Sequence, residues 1–286
     1  MVQARKRPSE RAGRNEPFDP GTPRTQTRVI PLRLRLRRAL APRDRALQLA
    51  LLVTALAAWE FFGRRASNFT FTPPSRVATA AREMIESGEL QDAVTESLVA
   101  LLLGFTLAAV IGISVGYAMG WWRTFGRTLN PFVSALYVVP IATLVPMMIV
   151  WFGLGLTPRV IVIMLFALFE ILLNAYAGVK NVDPHVIDVA RTFGASRLDL
   201  LRKAVFPATL PFVFVGLRIG ASRAVKGMVL AEMLFAVTGL GRVIIENAST
   251  FRMDRVFVGV IAVSLMGVIL SAAVQATERR VMRWRD

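Results

Sequence analysis

The 286-residue chain contains no cysteine, which excludes a disulfide framework and any thiolate metal site. It has one histidine, His185, so a cluster of imidazole ligands is excluded and little is left for histidine-based catalysis. No G-x-x-x-x-G-K-[ST] stretch occurs, so the chain has no phosphate-cradling loop for ATP. No Ser/His/Asp set or carboxylate pair in a soluble segment suggests catalysis, and the chain does not read as an enzyme. Charge is also missing over long distances. Residues 97–122, 128–158 and 256–277 contain no Asp, Glu, Lys or Arg. The net charge of +16 would otherwise invite a nucleic-acid reading, and these uncharged stretches decide against it.

What is present is apolar. Hydrophobic residues make up 54% of the chain and the mean hydropathy is +0.51. A helix needs about 20 apolar residues to cross about 30 Å of hydrocarbon. The three uncharged stretches are long enough, and 47–63, 160–179 and 204–235 qualify with a few interruptions. Backbone polar groups cannot stay unpaired in lipid, so six transmembrane helices in an all-α polytopic protein are expected. Pro140 and Pro146 imply kinks in the third span. The second span is dense in small residues, and Gly112-x-x-x-Gly116 permits close helix approach, within the bundle or at a subunit interface. Trp59, Trp121, Trp122 and Trp151 fall near span ends, as either an interfacial belt or packing within the bundle.

Residues 1–45 form a basic, proline-bearing tail that cannot bury enough surface to fold alone, and 46–286 form the membrane domain. With the N-terminus inside, the inner segments hold 24 Lys and Arg and the outer ones 8, so both termini are expected in the cytoplasm. The tail serves as a topology signal or as an anchor on anionic membrane lipid. In the outer loop 64–95, Val77, Ala80, Ala81, Met84 and Ile85 mark one helical face, with Ser75 placed to cap it and Gly88 to end it.

The most organised polar stretch is Asn181–Pro211, NVDPHVIDVARTFGASRLDLLRKAVFPATLP. Asp183-Pro184 reads as an N-cap followed by proline at the first helical position. Val186, Ala190 and Phe193 then share a face, and Gly194 is placed to stop the helix. Ser196-Arg197-Leu198-Asp199 is a capping box that starts a second helix. His185 reads as a solvated surface residue. Two short helices around a glycine corner, offering an apolar face toward water, imply a partner with a groove.

Asp188-Val189-Ala190, then Gly194, then Phe206-Pro207 resembles the E-A-A-x3-G-x9-I-x-L-P loop of ATP-binding cassette importer permeases. The differences are acidic for acidic at Asp188 and apolar for apolar at Val189, Ala204 and Phe206. "NAYAGVKNVDP" before the loop, "GASRLDLLRKAVFPATLPFVFVGLRIG" through it and "AEML…GLG" after it resemble the nitrate/sulfonate/taurine branch, over roughly residues 70–285. The resemblance implies a permease subunit in a bacterial inner membrane whose loop 181–207 docks on separate cytoplasmic ATPase subunits. Carried over, Asp188, Ala190, Arg191, Phe193, Gly194, Ala195, Leu198 and Pro207 would make the contact, with Pro207 setting the helix restart. It also implies an external solute-binding protein and a second permease subunit. ATP and Mg would be used by the partner ATPase, with no cofactor on this chain. The solute would be nitrate, a sulfonate, taurine or a related compound.

Charged residues inside spans are costly and either pair or line a wet path. Glu170 and Asn174 share a face; Glu170 could pair with Arg218 or Lys226, or line the path. Arg218 could instead reach the cytoplasmic surface, and Glu232 is a further path candidate. An ion-gradient transporter would favour paired acidic residues and inverted repeats, and only Glu170 lies mid-span with no obvious repeat. A scaffold or sensor without transport is the remaining alternative.

Overall fold

The structure is a computed structural model that describes residues 42–65, 72–235 and 238–283. The basic tail expected at 1–45 lies almost wholly outside the described residues. Among the described residues every regular element is helical. The helices are α1 Pro42–Arg65, α2 Pro74–Glu86, α3 Glu89–Trp121, α4 Arg123–Val138, α5 Ile141–Phe152, α6 Leu156–Lys180 and α7 Pro184–Thr192. They are followed by α8 Arg197–Phe235, α9 Gly239–Ser249 and α10 Met253–Val281. Among the described residues five helices are long and apolar enough to span a membrane: α1 from Ala46, α3, α6, α8 and α10.

The third span is bent at Pro140 as expected, but not at Pro146, and more sharply than a kink. It is not one helix over 128–158 but two, α4 and α5, bent by 93° at their junction. Pro140 has no N–H to continue the ladder, and Val139 before it is held extended at φ −63°, ψ 126°. Pro146 and Pro131 sit inside α5 and α4 without breaking them. Counting the bent pair as one span gives the expected six.

The chain divides into two units after Thr54. The part of α1 before that point carries exposed Leu47, Leu49, Leu51, Leu52 and Val53, which suits a helix surrounded by lipid. In the second unit, α6 is the central rod, packed along its length by α3 on one side and α8 on the other. Small residues make this possible. On α3, Gly104 faces Ile163, Gly112 faces Ile171, and Gly116 lies against the Leu172 carbonyl and Ala175. On α8, Gly216 meets Asn174, Gly220 meets Ile171 and Gly227 meets Phe166. A Cβ at Gly116 would stand 2.6 Å from the Leu172 carbonyl oxygen, so glycine there sets how closely the helices approach. Gly112 and Gly116 thus pack within the bundle. The fully buried core of Leu101, Ile163, Ala167, Ile171, Ala224, Met228 and Leu240 lies along these contacts.

Helix α2 buries Val77, Ala80 and Met84 as its periodicity predicts, while Ile85 is exposed. Its cap differs from expectation. Pro73 is the N-cap, and Ser75 donates its N–H (3.0 Å) and hydroxyl (2.7 Å) to the Glu60 carboxylate. Glu60 therefore reaches across from α1 to satisfy a free N–H at the start of α2. Gly88, at φ 83°, turns the chain into α3 as expected. Of the tryptophans, Trp59 donates to the Thr72 carbonyl (3.0 Å) and packs on Phe257, Trp121 joins the core, and Trp122 and Trp151 are exposed.

Candidate functional site

Two places carry the functional side chains. The first is the segment between α6 and α8. Asp183 accepts the His185 N–H at 2.9 Å and Pro184 opens α7, as read from the sequence. At the other end of α7, Ala195 N–H donates to the Ala190 carbonyl (3.1 Å) and Gly194 N–H to that of Arg191 (2.9 Å). This is a Schellman closure around Gly194 at φ 78°, a conformation that L side chains rarely adopt. Ser196 then accepts the Asp199 N–H (3.2 Å) and starts α8, while Lys203 and Asp199 pair at 2.7 Å.

The corner is fastened from beneath. Ile187 and Leu201 pack on buried Val179, Val182 and Val205, and Leu200 is also buried. The opposite face is left bare. Val186, Val189, Phe193 and Leu198 are exposed, Phe193 by 87%. An open groove of about 990 Å³ runs along this face. Ala190, Phe193, Gly194, Ala195 and Pro207 line it, together with Val186, Val189, Asp199, Lys203 and Ala204. Asp188, Arg191 and Leu198 are exposed outside it, with Asp188 and Arg191 paired at 3.6 Å. Val189 and Lys203 were missed as groove residues, because the groove forms only when α7 folds back beside the start of α8.

Pro207 stands in the first turn of the stretch where α-helical geometry resumes, from Phe206 on, without a break in the direction of the rod. α8 runs unbroken from Arg197 to Phe235, widened to a π turn over Leu200–Val205. Pro207 has no N–H for the Lys203 carbonyl, and a wide turn just before it lets the rod continue where a plain α-helix would break. The corner is therefore one piece with a membrane-spanning helix.

The second place is the interior of the bundle. Glu170 on α6 pairs with Arg223 on α8 at 3.2 Å and accepts the Tyr137 hydroxyl at 3.1 Å. The expected partners Arg218 and Lys226 are not used. Arg218 pairs with Glu278 on α10 instead, and Lys226 is exposed. Asn174 donates to the Glu170 carbonyl at 2.7 Å and so is tied to its own helix. Glu232 is fully enclosed, at 0% exposure. Its Oε2 accepts from Ser97 (2.8 Å) and from the Gly241 N–H (2.9 Å), and its Oε1 faces Arg159 at 3.8 Å. Ser97 in turn accepts the Leu240 N–H (2.8 Å), and Glu96 accepts that of Gly239 (2.9 Å). Glu232 thus holds the first turn of α9.

Residues 108–283 match the family described as binding-protein-dependent transport system inner membrane component. The chain belongs to this permease family. The taurine transport system permease protein TauC of Escherichia coli (strain K12) is 32% identical over 188 residues, 66% of this chain and 68% of TauC. The formylaminopyrimidine transport permease protein ThiX of Halalkalibacterium halodurans is 31% identical over 189 residues, 66% of this chain and 76% of ThiX. In fold the permease is similar to a chain of the MetNI methionine ABC transporter in an inward-facing conformation. The TM-score is 0.52 at 19% identity, over 64% of this chain and 94% of that one. The protein is a multi-pass membrane permease subunit of an ABC importer and is not itself an enzyme. As a binding-protein-dependent permease it works with an ATPase and a solute-binding protein.

Proposed function

We propose that this permease carries a small organic anion of the sulfonate type and takes the work for it through loop 181–207, seated on a cytoplasmic ATPase that uses ATP and Mg. The observation that carries the coupling reading is the bare apolar face of Val186, Val189 and Phe193 on a corner that is rigid by construction. A partner groove would cover that face. The corner continues into the membrane as α8 without a break, so a displacement of the loop moves a spanning helix. In this role Ala190, Phe193, Gly194, Ala195 and Pro207 form the groove side of the contact, and Asp188, Arg191 and Leu198 its exposed margin.

The likeness to TauC supports a sulfonate. An unpaired Glu170 would repel such a solute, but Arg223 balances its charge. The excess of Lys and Arg in the tail and loops supports a cytoplasmic position for both termini and the loop. Few spans per chain and closed twofold symmetry favour a second identical copy around a shared path.

The test is uptake of radiolabelled taurine into proteoliposomes holding the permease, its ATPase and its solute-binding protein. Uptake that needs ATP hydrolysis and ignores imposed ion gradients is the expected result. Uptake driven by an ion gradient without ATP would replace the reading with a secondary transporter.

A further inference from the structure

Within the apolar lengths of α6 and α8 the charges divide unevenly. Glu170 is paired with Arg223, Arg218 with Glu278, and Glu232 with Arg159. Lys226 has no hydrogen-bond or ion-pair partner among the described residues, and it is exposed. Its depth follows from its neighbours. Glu170 sits near the middle of α6, so Arg223 at 3.2 Å from it is at mid-bundle. Lys226 is three residues further along α8, about 4.5 Å up the axis and on the same side of the helix.

The opposite side of α8 is spoken for. Gly220, Ala221, Ala224, Gly227 and Met228 are buried inside the bundle. Ser222, Arg223 and Lys226 lie together on the side that the bundle leaves open. An ammonium at mid-depth facing hydrocarbon costs about 2.5–3.5 kcal/mol on insertion scales. An open, unbalanced cation at this depth is accommodated better by water than by lipid.

We infer that Ser222, Arg223 and Lys226 form an anion-binding station on the water-facing side of α8, with Lys226 supplying the uncompensated charge that takes the acidic group of the solute. Glu170, itself held by the Tyr137 hydroxyl, fixes the Arg223 guanidinium and cancels its charge, so the net attraction of the station comes from Lys226. Ser222, one turn before Lys226, adds a hydroxyl donor. This rests on the sulfonate reading above and deepens it, because it names the residues that meet the anion.

The natural absence of cysteine makes the test direct. In the complete importer, reconstituted with its ATPase and solute-binding protein, Ser222→Cys is treated with a sulfonatoethyl and with a trimethylammonioethyl thiol reagent. The anionic reagent is expected to react on the order of tenfold faster than the cationic one, because the unbalanced ammonium raises the local concentration of anions. Adding Lys226→Gln abolishes that preference, and Lys226→Arg preserves it. Ile269→Cys, on an exposed apolar stretch of α10, stays unlabelled by either reagent. Equal rates for the two reagents with Lys226 in place, or labelling at Ser222→Cys no faster than at Ile269→Cys, overturns the station. Taurine uptake separates the two readings. If Lys226→Gln takes up taurine at the wild-type rate, the station falls and the sulfonate reading stands. If the wild type takes up no taurine while the anion preference and its dependence on Lys226 are present, the station stands and the sulfonate reading falls.

Discussion

The carboxylate of Glu232, at the end of α8, accepts the N–H of Gly241, in the first turn of α9, at 2.9 Å inside a fully closed site. The chain therefore turns back on its own carboxylate, and the turn leaves no space for a side chain. A Cβ at Gly241 would press on the Glu232 side chain and stand 2.8 Å from the Met233 nitrogen. Backbone cannot retreat as a flexible side chain can. Gly241→Ala is expected to cost about 1–3 kcal/mol, the range for overpacking a filled interior. Gly267→Ala is the control, because its nearest neighbours would be Val225 methyls at 3.6 and 3.7 Å. Thermal unfolding of the detergent-solubilised permease should fall measurably for the first and stay level or rise slightly for the second.

The same site holds a charge pair. Arg159 Nη1 and Glu232 Oε1 face each other at 3.8 Å, and neither has a hydrogen-bond partner. Arg159→Met would leave the carboxylate buried without its counter-charge. Breaking such a pair from one side costs about 3–5 kcal/mol. Glu232→Gln combined with Arg159→Met should recover part of that loss, since an amide oxygen still accepts from Ser97 and Gly241. A double-mutant cycle on thermal stability measures the coupling, and purely additive effects would show that the two groups do not interact.

Much of this was legible from local patterns. The caps at Asp183 and Ser196 and the corner at Gly194 are fixed by their neighbours within a few residues, and the small-residue spacing of the second span is visible in the sequence although the helix it packs on, α6, is not. The third span was not legible in the same way. Pro131, Pro140, Pro146 and Pro211 look alike in sequence, yet the chain breaks only at Pro140. Proline inside a packed membrane helix is tolerated when surrounding groups satisfy the freed carbonyl, which depends on tertiary neighbours. Glu170 finding Arg223, and not Arg218 or Lys226, is tertiary as well. α8 is rotated so that Gly216 and Gly220 meet α6, and that rotation turns Arg218 toward Glu278. The π turn that precedes the resumption of α-helix at Phe206 and Pro207 left no local signal in the sequence.

Ser196→Ala removes the oxygen that accepts the Asp199 N–H at the start of α8. Loss of such a cap costs about 0.5–2 kcal/mol. The effect should be confined to the corner, because α8 is held further along by α6. Amide hydrogen exchange over 197–203 is expected to speed up several-fold, with exchange in 213–228 unchanged. Uniform acceleration along α8 would mean that the cap supports the whole helix.

Phe193 and Gly194 separate the surface of the corner from its shape. Phe193 is 87% exposed, so Phe193→Asp removes nothing from the packed interior. Membrane insertion and thermal stability should match the wild type. Co-purification of the ATPase should weaken by about 2 kcal/mol or more, the scale of a central aromatic contact. Gly194→Val acts by a different route. Beyond its immediate chain neighbours no atom lies within 4 Å of where its Cβ would be, so the substitution meets no clash. Its cost is the φ of 78°, which disfavours an L side chain by roughly 1–2 kcal/mol, more for a β-branched one. α7 should then re-aim while the bundle persists. Insertion and span packing stay intact, and both ATPase co-purification and ATP-dependent uptake are lost. Full coupling with Gly194→Val would show that the corner does not transmit force as a rigid body.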